Sequence, residues 1–302
     1  MTDTVFDRTA EDVGNIVEFG HVNVRVPDQR LATLFYIMGL GLTRDPYLVV
    51  GVDNMWVNAG SCQFHLPTGP AQVVRGTIGL VVPDLGALRA RLDAVAPRLA
   101  GTCFAWYDAV NAIDLTCPWG NRLRVHAPDA RFGRITLGMP YVEVDSPPGS
   151  SPAIARFYRE VLHGLAGTGE DARGRFARVA AGLTGAIVFR ETDRGQPDYD
   201  GHHIQISLAD FSGPHRRLLA RGLVSEESNE HQYRFQDVVD PASGDVLATI
   251  EHEVRSMRHP MYGRALTNRN AGQNNNRYAP GHEAWVPAMP PADMAPSRTT
   301  FV

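Results

Sequence analysis

Gly20-His21-Val22-Asn23-Val24-Arg25-Val26-Pro27-Asp28, with Leu80-Val81-Val82-Pro83-Asp84 further along the chain, decides the fold. Both runs read as strands that stop at Val-Pro-Asp. Each is followed by apolar residues at helical spacing: Leu31, Leu34, Phe35 and Met38 after the first, and Leu85, Leu88, Leu92 and Val95 after the second. The aspartate is placed to cap the helix that follows. Weaker echoes at Val144-Asp145 and Ala209-Asp210 make the phrase recur about every sixty residues, room for one strand, one helix and about three further strands. Four βαβββ units are the simplest reading, and the class is α+β.

A second repeat runs at twice that interval. Phe35-Tyr36 with Leu40-Gly41-Leu42 is matched by Phe157-Tyr158 with Leu162, Gly164 and Leu165. It predicts two similar domains of two consecutive units each, over 18–128 and 134–254, with an arm or tail over 255–302. In unit one, Gly39 and Gly41 end the helix, and strands are expected over Pro46–Val52, Met55–Ala59 and Cys62–Leu66. Unit two is expected to run from Thr77 through a helix over Asp84–Leu99 to a last strand over Asn121–His126, after the Pro118-Trp119-Gly120 turn. Unit three starts at Arg134–Val144 with a helix over Pro152–Leu162. Unit four starts at His202–Leu208, has a helix near Pro214–Arg221 and closes with a hairpin around Asp240–Gly244. From Arg255 the composition turns to Asn, Arg, Pro, Met and Gly, including Asn274-Asn275-Asn276, with no apolar period.

A chain of 302 residues, 43% hydrophobic and 21% charged, can bury ordinary globular cores. Its net charge of −4 and the lack of a basic run favour a small-molecule partner over nucleic acid or an anionic membrane. No apolar stretch is long enough to span a bilayer and the first residues do not resemble a signal peptide, so a cytoplasmic protein is expected. Cys62, Cys103 and Cys117 form no metal or disulfide pattern and are expected as buried free thiols.

The paired βαβββ units, the Phe-Tyr-x-x-x-Leu-Gly-Leu helix end at 35–42 and the Pro-Trp-Gly-Asn turn resemble the vicinal oxygen chelate superfamily. That group includes glyoxalases, bleomycin-resistance proteins and extradiol ring-cleaving dioxygenases. The resemblance covers roughly 18–254. It implies that each pair of units curls into a cup of curved mixed sheet with helices outside. It also implies a divalent metal on the cup's inner wall, with ligands from the first and last strands of units.

Alternation puts His203, Gln205 and Ser207 on one face of their strand. The His202-His203-Ile204 phrase resembles the dioxygenases' His-His-aromatic strand, which makes His203 the implied metal ligand. In the last strand, Leu247, Thr249, Glu251 and Glu253 share a face opposite Ala248, Ile250, His252 and Val254, and Glu251 is the expected carboxylate ligand. The third ligand is missing on this reading, because Met139 stands where the family's first-strand histidine belongs, with Tyr141 its nearest polar neighbour.

The first domain keeps His21 and His65. It has Thr77 and Arg124 where further ligands belong, and a guanidinium repels a cation. That cup is expected to be metal-free, with a two-histidine site at His21 and His65 as the alternative.

The resemblance thus implies an Fe(II)-dependent extradiol-type oxygenase, with Mn(II) or Zn(II) as alternative metals. It would act with O2 on a small aromatic or vicinal-oxygen substrate. His202, Tyr141 and His252 are the acid–base candidates, and Tyr199, Gln205, Arg255 and Tyr262 the substrate-binding ones. A glyoxalase-like lyase or isomerase and a metal-free binding protein are the alternatives. A homo-oligomer is compatible with all three.

Overall fold

The computed structural model describes residues 6–48 and 53–268. Its strands fall into four groups. Unit one holds β1 (Ile16–Asn23), β2 (Thr43–Arg44), β3 (Asn54–Ala59) and β4 (Cys62–Pro67), and unit two holds β5 (Gly76–Val81), β6 (Ala105–Ala109), β7 (Ala112–Thr116) and β8 (Arg122–His126). Unit three holds β9 (Val142–Ser146), β10 (Ala166–Asp171), β11 (Gly174–Ala181) and β12 (Gly185–Glu191). Unit four holds β13 (His203–Leu208), β14 (Val224–Asn229), β15 (Gln232–Val239) and β16 (Val246–Ser256). The helices are α1 (Gln29–Ala32), α2 (Leu85–Val95), α3 (Ser151–Glu160) and α4 (Ser212–Leu219), one per unit and each after its unit's first strand. The α+β class and the four βαβββ units are as expected.

The caps show why Val-Pro-Asp recurs. Asp28 accepts from the N–H groups of Arg30 and Leu31, and Asp84 from that of Ala87, so each carboxylate satisfies donors that the first helical turn leaves open. After α1 the helix widens into a π turn over Thr33–Gly39, with Leu40 N–H bonded to Phe35 C=O. The wider turn rotates the following residues. Leu34, Phe35 and Tyr36 are buried, while Met38, expected on the apolar stripe, is exposed.

The pairing of units differs from expectation. One eight-stranded sheet has the order β14-β15-β16-β13-β1-β4-β3-β2, which joins unit four to unit one. The other has the order β10-β11-β12-β9-β5-β8-β7-β6, joining unit three to unit two. Residues 18–128 and 134–254 therefore do not form one sheet each. The physical reason lies in which first strands meet: β1 pairs with β13, and β5 with β9, both antiparallel. The outer pair of units encloses the inner pair in sequence. One hydrophobic core runs through both sheets and their helices, with Phe35, Tyr36, Phe64, Phe157, Tyr158, Phe189 and Phe235 fully buried.

Smaller departures follow local chemistry. The strand expected over Pro46–Val52 is not found at its start, where Asp45 instead accepts from the N–H groups of Tyr47 and Leu48 in a turn; 49–52 lie outside the described residues. The first strand of unit three begins only at Val142, after Pro140. Cys62 and Cys117 are buried free thiols, but Cys103 is exposed. Among the described residues no helix is long and apolar enough to cross a membrane.

Arg255 and Ser256 belong to β16 rather than to the tail. The chain then runs as a strap, 257–268, back to the far side of the same sheet. Arg264 pairs with the fully buried Asp45, with Nη2–Oδ2 at 2.7 Å. Asn58 donates to Thr267 C=O at 2.7 Å, and Asn268 both accepts from Gly60 N–H at 3.0 Å and donates to Gly60 C=O at 2.9 Å. The polar segment from Arg269, including Asn274–Asn276, lies outside the described residues.

Candidate metal centre

Strand register assembles the site. On antiparallel β1 and β13, Asn23 faces His203 and His21 faces Gln205; on parallel β1 and β4, Asn23 faces His65 and His21 faces Gln63. On parallel β13 and β16, His203 faces Glu251 and Gln205 faces Glu253. Laterally paired residues share a face, so two polar rows cross the middle of the sheet. One is Glu251-His203-Asn23-His65 and the other Glu253-Gln205-His21-Gln63. Their opposite faces carry the core residues Val22, Phe64, Ile204 and Val254.

The three histidines converge. One ring nitrogen from each of His21, His65 and His203 lies within 4.8 Å of the others, and no other such group of His, Cys, Asp or Glu occurs among the described residues. The rings of His65 and His203 each stand 5.7 Å from that of His21. The Nε2 atoms of all three are buried without a hydrogen bond among the described residues. Burial holds His21 well below its ordinary pKa and brings His65 down to about 3, so both present neutral rings with a free lone pair. Trp56 stacks on His65 at 3.8 Å and fixes its plane. Three converging imidazoles whose Nε2 atoms are buried and unpartnered among the described residues fit a divalent first-row cation by donor type and arrangement.

Two carboxylates adjoin this group. Glu253 Oε2 is 3.5 Å from His203 Nε2, the ring nitrogen without a hydrogen bond. It receives Arg234 Nη2 at 2.6 Å, while its other oxygen lies 2.6 Å from Arg255 Nη2. Burial alone would raise the Glu253 carboxyl, but His203, His21 and Arg255 outweigh it and hold it far below the usual carboxylate range. Glu251 lies instead 3.4 Å from His203 Nδ1, the far side of the ring, and also binds Arg234. A carboxylate on the outer nitrogen orients a ligand histidine rather than serving as a ligand. Glu253, which shares a face with Glu251, is the carboxylate nearest the unpartnered Nε2 of His203.

Of the sequence-derived acid–base candidates, none enters the cup. His252 is fully buried on the core side, stacked on Phe235 at 4.3 Å and bonded through Nε2 to the Tyr158 hydroxyl at 2.6 Å; burial lowers it to about 3. His202 precedes β13 and is buried, its Nδ1 bound to Asp200 at 2.7 Å. Tyr141 immediately precedes β9 of the other sheet.

The substrate candidates divide. Gln205 and Arg255 are on the cup face, and Tyr262 is on the strap, beside the start of β1. The Tyr199 hydroxyl is used internally, accepting from Glu251 N–H at 2.9 Å and donating to His202 C=O. Where the sequence reading left a gap at Met139, the pairing of units one and four brings His21 and His65 of unit one beside His203. His21 and His65, read earlier as a separate pair, belong to the same centre as His203.

The second cup holds no such histidine group among the described residues. At Gly79 a Cβ would meet the Tyr141 ring at 2.5 Å, so the absence of a side chain on β5 lets that ring lie across the cup floor. The Tyr141 hydroxyl meets His126 Nε2 at 3.0 Å, and Glu143 is clamped by Arg173 at 2.9 and 2.7 Å. Arg124 stands on the last strand of unit two, 3.6 Å from Asp114. Tyrosine and arginine fill the places that imidazoles occupy in the first cup.

No family model matches the chain, and no curated protein matches it in sequence. Solved structures do match in shape. Glyoxalase I from Zea mays is similar with a TM-score of 0.53 and 12% identity, covering 79% of this chain and 92% of that one. A point variant of the maize enzyme reaches a TM-score of 0.54 over the same shares, again at 12% identity. A Bacillus subtilis protein named as a candidate dioxygenase gives 0.51 at 15% identity, covering 80% of this chain and 86% of that one. With the four units and the two paired sheets, these likenesses show that the chain shares the fold of these solved structures.

Proposed function

We propose that this protein is a metal-dependent enzyme in which His21, His65 and His203 hold a first-row divalent cation, with Glu253 beside them as a fourth donor. Fe(II) is the first choice, and Mn(II) and Zn(II) are the alternatives. The observation that carries the reading is the convergence of three imidazoles, one ring nitrogen of each within 4.8 Å of the others, whose buried Nε2 atoms make no hydrogen bond among the described residues. Such a cation would supply a Lewis acid with open positions for two adjacent substrate oxygens, and Fe(II) would add a redox site for O2.

The chain's own residues prepare that place. Trp56 and Glu251 orient the His65 and His203 rings, Arg234 and Arg255 fix Glu253, and Gln205, Gln63 and Asn23 line the floor with amide groups. Both Glu251 and Glu253 are tied to Arg234. Neither is then free to carry a substrate proton, as a glyoxalase-like reaction would ask of a metal-side carboxylate. This supports an oxygenase of the extradiol type acting on a small aromatic or vicinal-oxygen substrate. The glyoxalase-like lyase or isomerase remains the second reading, favoured by one polar group from each of four strands, β1, β4, β13 and β16.

An oxygen electrode run on anaerobically Fe(II)-loaded protein over substituted catechols tests the choice. Uptake of about one O2 per catechol with a coloured ring-opened product supports the oxygenase; bound metal without oxygen uptake from any catechol discards it. Wild-type protein that binds no transition metal points to the metal-free binding class. A small-molecule partner fits the net charge of −4 better than nucleic acid or membrane.

A further inference from the structure

The cup contains a carboxylate that the metal reading leaves unused. Two irregularities in the pairing of β1 with β13 fall between Ile16 and Glu18 and between Phe19 and His21. The second puts Glu18 and His21, three residues apart, on the same face. Gly20 carries it, because a Cβ there would lie 1.8 Å from Gln205 Oε1. Glu18 faces Ser207 while His21 faces Gln205, so Glu18 stands one row from the imidazoles, roughly 7 Å along the strand.

Its surroundings differ from those of Glu251 and Glu253. Glu18 accepts from Ser207 Oγ at 2.6 Å and makes no ion pair among the described residues. It also borders a cleft of about 330 Å³ between the start of β1, the 135–139 segment and the β11–β12 turn, where Phe19, Leu137, Met139 and the strap residue Tyr262 supply apolar wall. That volume is in the range of small-molecule sites.

We propose that this cleft receives the apolar body of a hydroxylated substrate and that Glu18 is the proton acceptor for the hydroxyl directed at the imidazole cluster. The substrate O–H bond breaks, its electron pair stays on the substrate oxygen, and the proton goes to a Glu18 carboxylate oxygen; nothing is oxidised or reduced. The inference rests on the metal-enzyme reading above. Burial raises the Glu18 carboxyl above its ordinary value, against the Ser207 hydrogen bond and the Arg255 charge, and so toward the pH at which proton carriers are effective. The other groups facing it are Arg255 from β16, Tyr262 from the strap and Cys62 from β4, whose thiol burial pushes up to about 11.

The test is a proton count. Zn(II)-loaded wild type, Glu18→Gln and Ser207→Ala are titrated with 4-nitrocatechol by calorimetry at pH 7.5 in buffers of different ionisation enthalpy, after metal affinity has been measured for each. Glu18→Gln preserves shape and keeps a hydrogen-bond partner for Ser207; Ser207→Ala keeps the carboxylate. All three should hold Zn(II) within about threefold. Wild type and Ser207→Ala should release almost no proton on binding the probe, and Glu18→Gln about one. Equal release by wild type and Glu18→Gln overturns the role of Glu18 while leaving the metal reading intact. Metal-loaded wild type that does not bind the probe overturns the substrate class and with it Glu18. Wild type that binds no metal overturns both readings.

Discussion

Replacing Arg264 by alanine should loosen the strap and cost the fold about 2–3 kcal/mol. The side chain bridges strap and sheet through two contacts with Asp45, Nη1–Oδ1 at 3.3 Å and Nη2–Oδ2 at 2.7 Å. Removing one partner of a buried ion pair costs about 3–5 kcal/mol when the survivor is left uncompensated. Here Asp45 keeps bonds from Gln63 Nε2 at 3.0 Å and from the N–H groups of Tyr47 at 2.8 Å and Leu48 at 3.0 Å, which places the loss toward and below the lower end.

The pair also predicts a pH signature. Burial pushes the Asp45 carboxyl up, but Arg264 and the two amides outweigh it, so its folded pKa lies below the ordinary value. A depressed carboxylate contributes stability that is full above the unfolded pKa and is lost as pH falls through the folded one. Urea unfolding followed by circular dichroism should therefore show Arg264→Ala weaker than wild type at pH 7 and losing less stability between pH 5 and pH 3. Arg264→Lys should recover part of the difference, because the charge remains but the paired donors do not. A loss under about 0.5 kcal/mol at pH 7, with an unchanged acid limb, would refute the reasoning.

Ending the chain after Ser256 removes the bonds of Arg264, Thr267 and Asn268 together, so its thermal midpoint should fall further than that of Arg264→Ala, by differential scanning calorimetry. Arg234→Gln releases both Glu251 and Glu253, and metal affinity measured by competition with a chromophoric chelator should drop by about tenfold, or ~1.4 kcal/mol. His126→Ala, in the second cup, should leave that affinity within about twofold; a large loss would place metal in the wrong sheet.

The units were legible in the sequence because Val-Pro-Asp encodes a local event, a strand ending at a helix whose first amides need an acceptor. The faces of β13 and β16 were equally legible, since period-two alternation is local too, and it set Glu251 and Glu253 opposite Ile250, His252 and Val254. What could not be read was which units share a sheet. The first strands have similar alternation, and the backbone edges that choose β13 for β1 carry no residue-specific mark; adjacency in sequence favoured the wrong neighbour.

The division of the histidines into two sets follows from that pairing. His21 and His65 were visible as a pair lacking a carboxylate, and His203 and Glu251 as a pair lacking a third ligand, yet the two halves face each other across β1 and β13. The choice of Glu251 over Glu253 needed a distance rather than a parity, because both share a face and only the structure sets them on opposite sides of the His203 ring. Glu18 lay hidden for a related reason: strict alternation puts it out of phase with His21, and only the bulge at Gly20 restores it.

The central claim, that one centre is built from units one and four, is tested most directly by metal binding in four single variants. Bound metal per chain and affinity are measured by plasma emission spectroscopy and calorimetry for wild type, His21→Ala, His65→Ala, His203→Ala and the core-facing His252→Ala. The account predicts about one transition metal per wild-type chain and a loss of at least about a hundredfold in affinity, or ~2.7 kcal/mol, for each of the first three variants. His252→Ala that remains folded should bind as wild type does. Wild-type affinity in His21→Ala alongside its loss in His203→Ala would contradict the account, because the metal would then belong to unit four alone.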